Sequence, residues 1–238
     1  MVRVVVTRPQ PGASRTAARL RKLGLEPILI PLSETKALDI DIQSLPADIA
    51  AAAVTSSNAI RHASAELIQR LAGLPCHVVG PKTADAARSA GLSVAEIGQG
   101  DAEALADRIA PSLAGKTVVY LCGHVRFSAF ETGLSAKNVN VVPLEIYDTL
   151  AIHQAGVVVM KRLAGRPADA VLLYSAKAAQ AFSELARRPE LARYFDETRI
   201  LVLSERVASS FGPVAPGRLV VAGEPNEDAL LALLDPAD

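Results

Sequence analysis

Several stretches of this 238-residue chain place small hydroxyl, glycine and basic residues directly behind short apolar runs: Thr7-Arg8, Thr55-Ser56-Ser57-Asn58, Gly80-Pro81-Lys82-Thr83, Cys122-Gly123-His124, Ser175-Ala176-Lys177 and Ser204-Glu205-Arg206. A turn that leaves a strand and opens a helix carries backbone N–H groups without intrahelical partners, at the positive end of the helix dipole. Such a turn is a ready anion site. Arg8, Lys82, Arg126 and Lys177 are the natural carboxylate partners, arginine through a bidentate fork and lysine as a point charge. Each residue also has a plainer reading. Ser, Thr and Asn at these places serve as helix N-caps, worth about 1 kcal/mol each, and a basic residue is most often a solvated surface charge.

The other reactive types assemble into nothing. His62, His77, His124 and His153 show no metal-ligand spacing, and Cys76 sits at a strand start where a small hydrophobe would serve. Cys122 and His124 share a turn but lack the third group that orients a nucleophile–base pair. Gly12 and Gly24 flank a helix without the close spacing of a dinucleotide loop. Neither a metal nor a cofactor is expected.

The elements that must position these turns follow from periodicity. Residues 2–6 form a β-branched run with one Arg, the pattern of a strand buried on both faces. Similar runs recur at 28–30, 49–54, 77–79, 117–121, 139–142, 170–174, 200–203 and 219–221. Helical patterns lie between them at 14–23, 84–90, 102–109 and 228–234, the first two ending at Gly24 and Gly91. Strand and helix alternate, which predicts an α/β fold with parallel sheets covered on both faces.

The chain also reads twice. Residues 2–111 recur element for element in residues 117–234, at an offset of about 120 residues, far above the ~20–50 of solenoid repeats. Each copy is therefore domain-sized and contributes about five strands, enough for a doubly wound sheet. Two arrangements are open: two sequential domains, or an interleaved pair in which the first strand–helix–strand of each copy joins the later strands of the other. The stretches Pro31-Leu32-Ser33-Glu34 and Pro143-Leu144-Glu145-Ile146-Tyr147-Asp148-Thr149 run on without turning into a helix and could pair as a connecting ribbon, which favours interleaving.

Composition narrows the partners. Lys and Arg total 25 against 25 Asp and Glu, so no global field draws in nucleic acid or an anionic membrane, and anion recognition must be local. No apolar run approaches the ~20 residues that cross a bilayer. The chain starts on a strand rather than a signal peptide and holds two isolated cysteines, so a reducing cytoplasm is the expected location.

Val4-Val5-Val6-Thr7-Arg8-Pro9, Thr55-Ser56-Ser57-Asn58-Ala59, Val78-Val79-Gly80-Pro81-Lys82-Thr83-Ala84, Glu145-Ile146-Tyr147-Asp148-Thr149 and Tyr174-Ser175-Ala176-Lys177-Ala178, in this order over the duplicated frame, resemble the uroporphyrinogen-III synthase family. The resemblance implies two interleaved flavodoxin-like domains, residues 1–32 with 150–238 and residues 37–142, joined by a two-stranded linker at 33–36 and 143–149, with the active site in the cleft between them. It implies a cyclising hydro-lyase that converts hydroxymethylbilane to uroporphyrinogen III, inverting ring D through a spiro intermediate without a cofactor. The substrate would lie against Thr7, Arg8, Thr55, Ser56, Ser57, Asn58, Gly80, Lys82, Thr83, Gly123, Arg126, Ser175, Ala176, Lys177 and Ser204, with Tyr147 as proton donor to the leaving hydroxyl. A monomer is expected, bound to no nucleic acid or membrane. Transient contact with hydroxymethylbilane synthase would protect an unstable product in transfer.

One turn departs from the family pattern. Ser204-Glu205-Arg206-Val207 stands where a Gly and a Thr are usual, and Glu205 would repel carboxylates. That change supports an alternative, a non-catalytic tetrapyrrole- or anion-binding module of the same fold. A periplasmic solute-binding protein is disfavoured because no export signal precedes Val2.

Overall fold

The computed structural model of the chain describes residues 1–126 and 128–234; the domain end expected at residue 238 lies outside them. The described elements are, in order, β1 (Arg3–Val6), α1 (Gly12–Lys22), β2 (Glu26–Leu29), β3 (Ser33–Ala37), β4 (Ile49–Val54), α2 (Ser57–His62), α3 (Ala65–Leu71), β5 (Pro75–Val78), α4 (Pro81–Ala90), β6 (Ser93–Ile97) and α5 (Ala102–Leu113). They continue with β7 (Thr117–Gly123), α6 (Ala129–Ser135), β8 (Asn140–Ala151), α7 (Gly156–Leu163), β9 (Ala170–Leu173), α8 (Ala176–Ala186), β10 (Arg199–Val202), α9 (Glu205–Ser209), β11 (Leu219–Val221) and α10 (Glu227–Ala232). They fall into two compact units, Met1–Glu34 with the chain from Leu150 onward, and Thr35–Thr149.

In the first unit the sheet runs β11-β10-β9-β1-β2, every neighbouring pair parallel. Successive strand residues point to opposite faces, so the uninterrupted valines of β1 supply two cores. Val5 packs with Val171, Leu173, Ile200, Val202 and Phe182 on one side. Val4 and Val6 pack with Ala13, Leu20, Leu172, Leu201 and Leu230 on the other. Each fully buried Val or Leu contributes roughly 1.5–3 kcal/mol, which is why β1 carries apolar residues at consecutive positions.

Arg3 is the exception in that run, and its neighbours explain it. The side chain is buried, and its guanidinium donates to the carbonyls of Leu163 (2.7 Å), Arg166 (2.7 Å) and Pro167 and to Glu26 Oε1 (3.1 Å). A buried charge is tolerable when fully hydrogen-bonded. Arg3 therefore stitches the amino end of β1 to the segment that follows α7.

In the second unit the sheet order is β3-β8-β7-β4-β5-β6, and from β8 to β6 each strand is parallel to the next. Ala52, Val54, Cys76, Val78, Val119, Leu121 and Ile146 line one face, and Ala51, Ala53, Val118, Tyr120 and Cys122 the other, under Leu105, Ile109 and Phe130. Small alanines in β4 leave room for these larger side chains.

The α/β class with parallel sheets agrees with the periodicity of the sequence. The differences are local. β8 runs unbroken to Ala151, so residues 143–149 continue the strand expected at 139–142. β6 is an additional strand, and β3 falls on the stretch read as one side of a connecting ribbon; both lie at sheet edges, and their polar sequences lack a buried-strand run. α4 begins at Pro81 rather than at residue 84, because proline at the first helical position needs no N–H partner.

Candidate functional site

The expected turns all fall at carboxyl ends of parallel strands, where open α/β folds bind ligands. In the second unit β4 leads into Thr55-Ser56-Ser57-Asn58. Thr55 Oγ1 is 2.6 Å from the Tyr120 hydroxyl, Ser56 accepts from the Asn58 N–H (3.2 Å) as the N-cap of α2, and Asn58 Oδ1 accepts from Arg61 (2.7 Å). Ser57, the first residue of α2, is half-buried. After β5, buried Gly80 is the N-cap of α4, Lys82 is exposed on its first turn and Thr83 is buried.

β7 ends at Gly123, paired across a register shift with Tyr147 of β8. The backbones lock there, the His124 N–H donating to the Tyr147 carbonyl at 2.8 Å. Tyr147 is half-buried, its ring stacked on His62 with centroids 5.8 Å apart and planes 24° from parallel. Among the described residues its hydroxyl has no hydrogen-bond partner, so that donor is uncommitted; the position of the ring requires glycine at 123, where a β-carbon would stand 2.9 Å from Tyr147 Cζ.

Arg126 is not the open carboxylate partner expected of it. Its fork is closed by Glu131 Oε1 (2.6 Å) and Glu145 Oε1 (2.8 Å), and Glu145 Oε2 also meets His124 Nδ1 at 2.6 Å. The hydrogen bond to Glu131 outweighs partial burial and raises the guanidinium pKa. A substrate carboxylate here would have to displace an internal one. Cys122 lies beneath, its thiol pushed up to about 12 by burial, which removes it as a nucleophile at neutral pH.

In the first unit Thr7 is fully buried and donates to the Leu172 carbonyl at 2.7 Å, so its hydroxyl supports the sheet rather than facing a ligand. Arg8 lies with its guanidinium 4.4 Å over the Tyr174 ring and donates to Glu227 Oε1 at 3.0 Å. Glu227 also accepts from Thr16, from the Tyr174 hydroxyl (3.1 Å) and from Arg19 (3.2 Å). Burial pushes the Tyr174 phenol up to about 12, so it donates rather than ionises. Ser175 is the N-cap of α8, accepting from the Ala178 N–H at 3.2 Å, with Ala176 and Lys177 opening the helix; Lys177 is exposed and forms no ion pair among the described residues. Ser204 is the N-cap of α9 without a side-chain bond, followed by exposed Glu205 and Arg206.

The sequence reading missed Glu227, Tyr174 and Thr16 as one cluster, and His62 with Thr35. Glu227 carried a signal only as an acidic residue in the first turn of a helix; of its partners, Arg8 and Thr16 lie more than two hundred residues away in sequence and Tyr174 lies 53 away. Among the described residues no group of three or more His, Cys, Asp or Glu side chains could hold a metal ion, and no helix is long and apolar enough to cross a membrane.

A family model described as uroporphyrinogen-III synthase HemD matches residues 14–232. No curated protein matches the chain. Among solved structures, uroporphyrinogen-III synthetase from Helicobacter pylori is similar with a TM-score of 0.65 and 17% identity, over 98% of this chain and 98% of that one. A mutant uroporphyrinogen III synthase from Thermus thermophilus is similar with a TM-score of 0.54 and 18% identity, over 98% and 96% of the two chains. At these identities the structural likeness speaks for the fold.

Proposed function

We infer the chemistry from the family: the chain belongs to the uroporphyrinogen-III synthase family and is a cyclising lyase of haem biosynthesis. The resemblance carried by its motifs holds. In our reading the substrate is hydroxymethylbilane, a linear tetrapyrrole rich in carboxylates. Tyr147 donates a proton to the terminal hydroxyl, which leaves as water. The azafulvenium cation that remains is attacked by ring D, and the resulting spiro intermediate reopens and recloses with that ring inverted. The pyrrole ring finally loses a proton, which balances the one delivered to the leaving group.

The observation that carries this reading is the uncommitted Tyr147 hydroxyl, on a ring packed against Gly123 at the carboxyl end of β7. A positioned acid contributes typically about 10²–10⁴-fold. Substrate carboxylates are met by the open donors: Lys177, the hydroxyls of Ser57 and Ser204, and backbone N–H groups of the Ser56, Gly80 and Ser175 turns, with Ala176 and Thr83 in the first turns of α8 and α4. Thr55, Asn58 and Lys82 flank those groups. Arg8 and Arg126 reach a carboxylate only by exchanging it for Glu227 or Glu145.

We further read the two sheets as interleaved copies of one flavodoxin-like unit. The orders β2-β1-β9-β10-β11 and β8-β7-β4-β5-β6 both reduce to the 2-1-3-4-5 pattern, with the leading strand–helix–strand drawn from the opposite half of the sequence. Those orders support domains at 1–32 with 150–238 and at 37–142, the stretches 33–36 and 143–149 forming the linker. A cytoplasmic monomer, meeting hydroxymethylbilane synthase transiently, completes the proposal.

The test is a coupled assay. Freshly generated hydroxymethylbilane is supplied to the purified chain, the product oxidised, and the type I and type III uroporphyrins separated. Dominant type III is the expected result. Type I alone would mean spontaneous closure and would overturn the reading.

A further inference from the structure

We propose that His62 and Thr35 are positioning residues for Tyr147: the Thr35 hydroxyl orients the His62 imidazole, and the imidazole holds the phenol ring in place over Gly123. The proposal rests on the reading of Tyr147 as proton donor.

A half-buried tyrosine near a strand end can adopt several rotamers, and only some present its hydroxyl to a given atom. Here two neighbours restrict it. Gly123 removes the β-carbon that would push the ring outward, and His62 covers the ring by stacking, centroids 5.8 Å apart. Alone, an imidazole at the last residue of the short helix α2 would be a mobile wall. It is held by a bond from His62 Nε2 to Thr35 Oγ1 at 2.8 Å, and Thr35 lies in β3, which neighbours β8 in the sheet. α2, β3, β7 and β8 thus meet around one phenol. Burial, with a smaller contribution from Arg61, lowers the His62 pKa, so the ring is neutral near pH 7 and keeps a lone pair or an N–H for the threonine. Orientation is worth this scaffolding, because a misplacement of about 1 Å in a reacting group costs roughly 10²-fold in rate.

The experiment compares His62→Ala, His62→Phe and Thr35→Val, with steady-state production of type III uroporphyrinogen and the fluorine NMR spectrum of 3-fluorotyrosine-labelled chain as readouts. The Tyr147 resonance is assigned by its loss in Tyr147→Phe. His62→Ala should lower kcat about 10-fold or more, leave KM within about 2-fold, and move the Tyr147 resonance toward that of a solvent-exposed tyrosine. His62→Phe keeps a stacked ring and should retain most of kcat and the resonance position. Thr35→Val should cost less, and add nothing in the His62→Ala background. A wild-type chain that makes type III together with an unchanged kcat in His62→Ala, or an unmoved Tyr147 resonance, overturns the positioning role alone. A wild-type chain that makes no type III overturns the proton-donor reading, and this proposal with it.

Discussion

The ring of Tyr147 lies so close over the Cα of Gly123 that a β-carbon there would stand 2.9 Å from Cζ and 3.1 Å from the hydroxyl oxygen. The register shift after Cys122 brings the two residues opposite each other on adjacent parallel strands. Gly123→Ala must therefore displace the phenol. Overpacking a closed core costs about 1–3 kcal/mol; this ring is half-exposed and can swing aside, so the low end of that range is expected, seen as a small fall in the urea midpoint. Turnover should drop about 10²-fold, because the displaced hydroxyl no longer meets its target. A variant with wild-type turnover would show that ring placement over residue 123 is irrelevant.

Tyr147→Phe isolates the hydroxyl. Among the described residues that oxygen makes no hydrogen bond, so its removal strands no partner and the thermal melting curve should not change. Single-turnover formation of the type III product should slow about 10²-fold or more. Equal rates in both proteins, under conditions where chemistry limits, would remove Tyr147 as the acid.

How far such a site can be read from sequence depends on which interactions are local. The apolar runs announced β1, β4, β7 and β9 because buried parallel strands admit few polar residues, and the turns behind them followed. Edge strands β3 and β6 face fewer neighbours and carry no such signature. The use made of individual side chains was the least legible. Thr7 and Ser175 look alike as hydroxyls behind strands, yet one is consumed by the Leu172 carbonyl and the other caps α8. Arg126 looks like an open cation until β8 brings Glu145 beside it, and that pairing depends on strand register.

The His124–Glu145 contact carries a pH signature. The hydrogen bond that His124 donates to Glu145, followed by the charge of that carboxylate, raises the His124 pKa above the ordinary imidazole value of about 6.5. The same hydrogen bond, with that from Arg126, outweighs desolvation and lowers Glu145. A raised imidazole contributes stability in full below its unfolded pKa and loses it as pH rises through the folded value. A lowered carboxylate contributes above its unfolded pKa and loses it as pH falls through the folded one. The contact is thus strongest in mildly acidic solution. Following the His124 ring proton by NMR should give a midpoint above 6.5, returning toward 6.5 in Glu145→Gln. An unshifted midpoint in the wild-type chain would mean that the contact does not persist in solution.

Glu227 should set part of the acid limb of stability. Burial favours its protonated form, but hydrogen bonds from Thr16 and Tyr174 and the charges of Arg8 and Arg19 outweigh it, and the carboxyl pKa is lowered. The stabilisation from this depressed carboxyl is present above the unfolded value of about 4.3 and disappears as pH falls through the folded value. Glu227→Gln keeps the shape but strips the charge that gathers Arg8 and Arg19, costing about 1–2 kcal/mol at pH 7. Urea unfolding of the two proteins should differ by that amount at neutral pH and converge in acid, where Glu227 is itself neutral. A difference that stays constant down the acid limb would place the effect in packing, with the carboxylate contributing no charge-dependent stability.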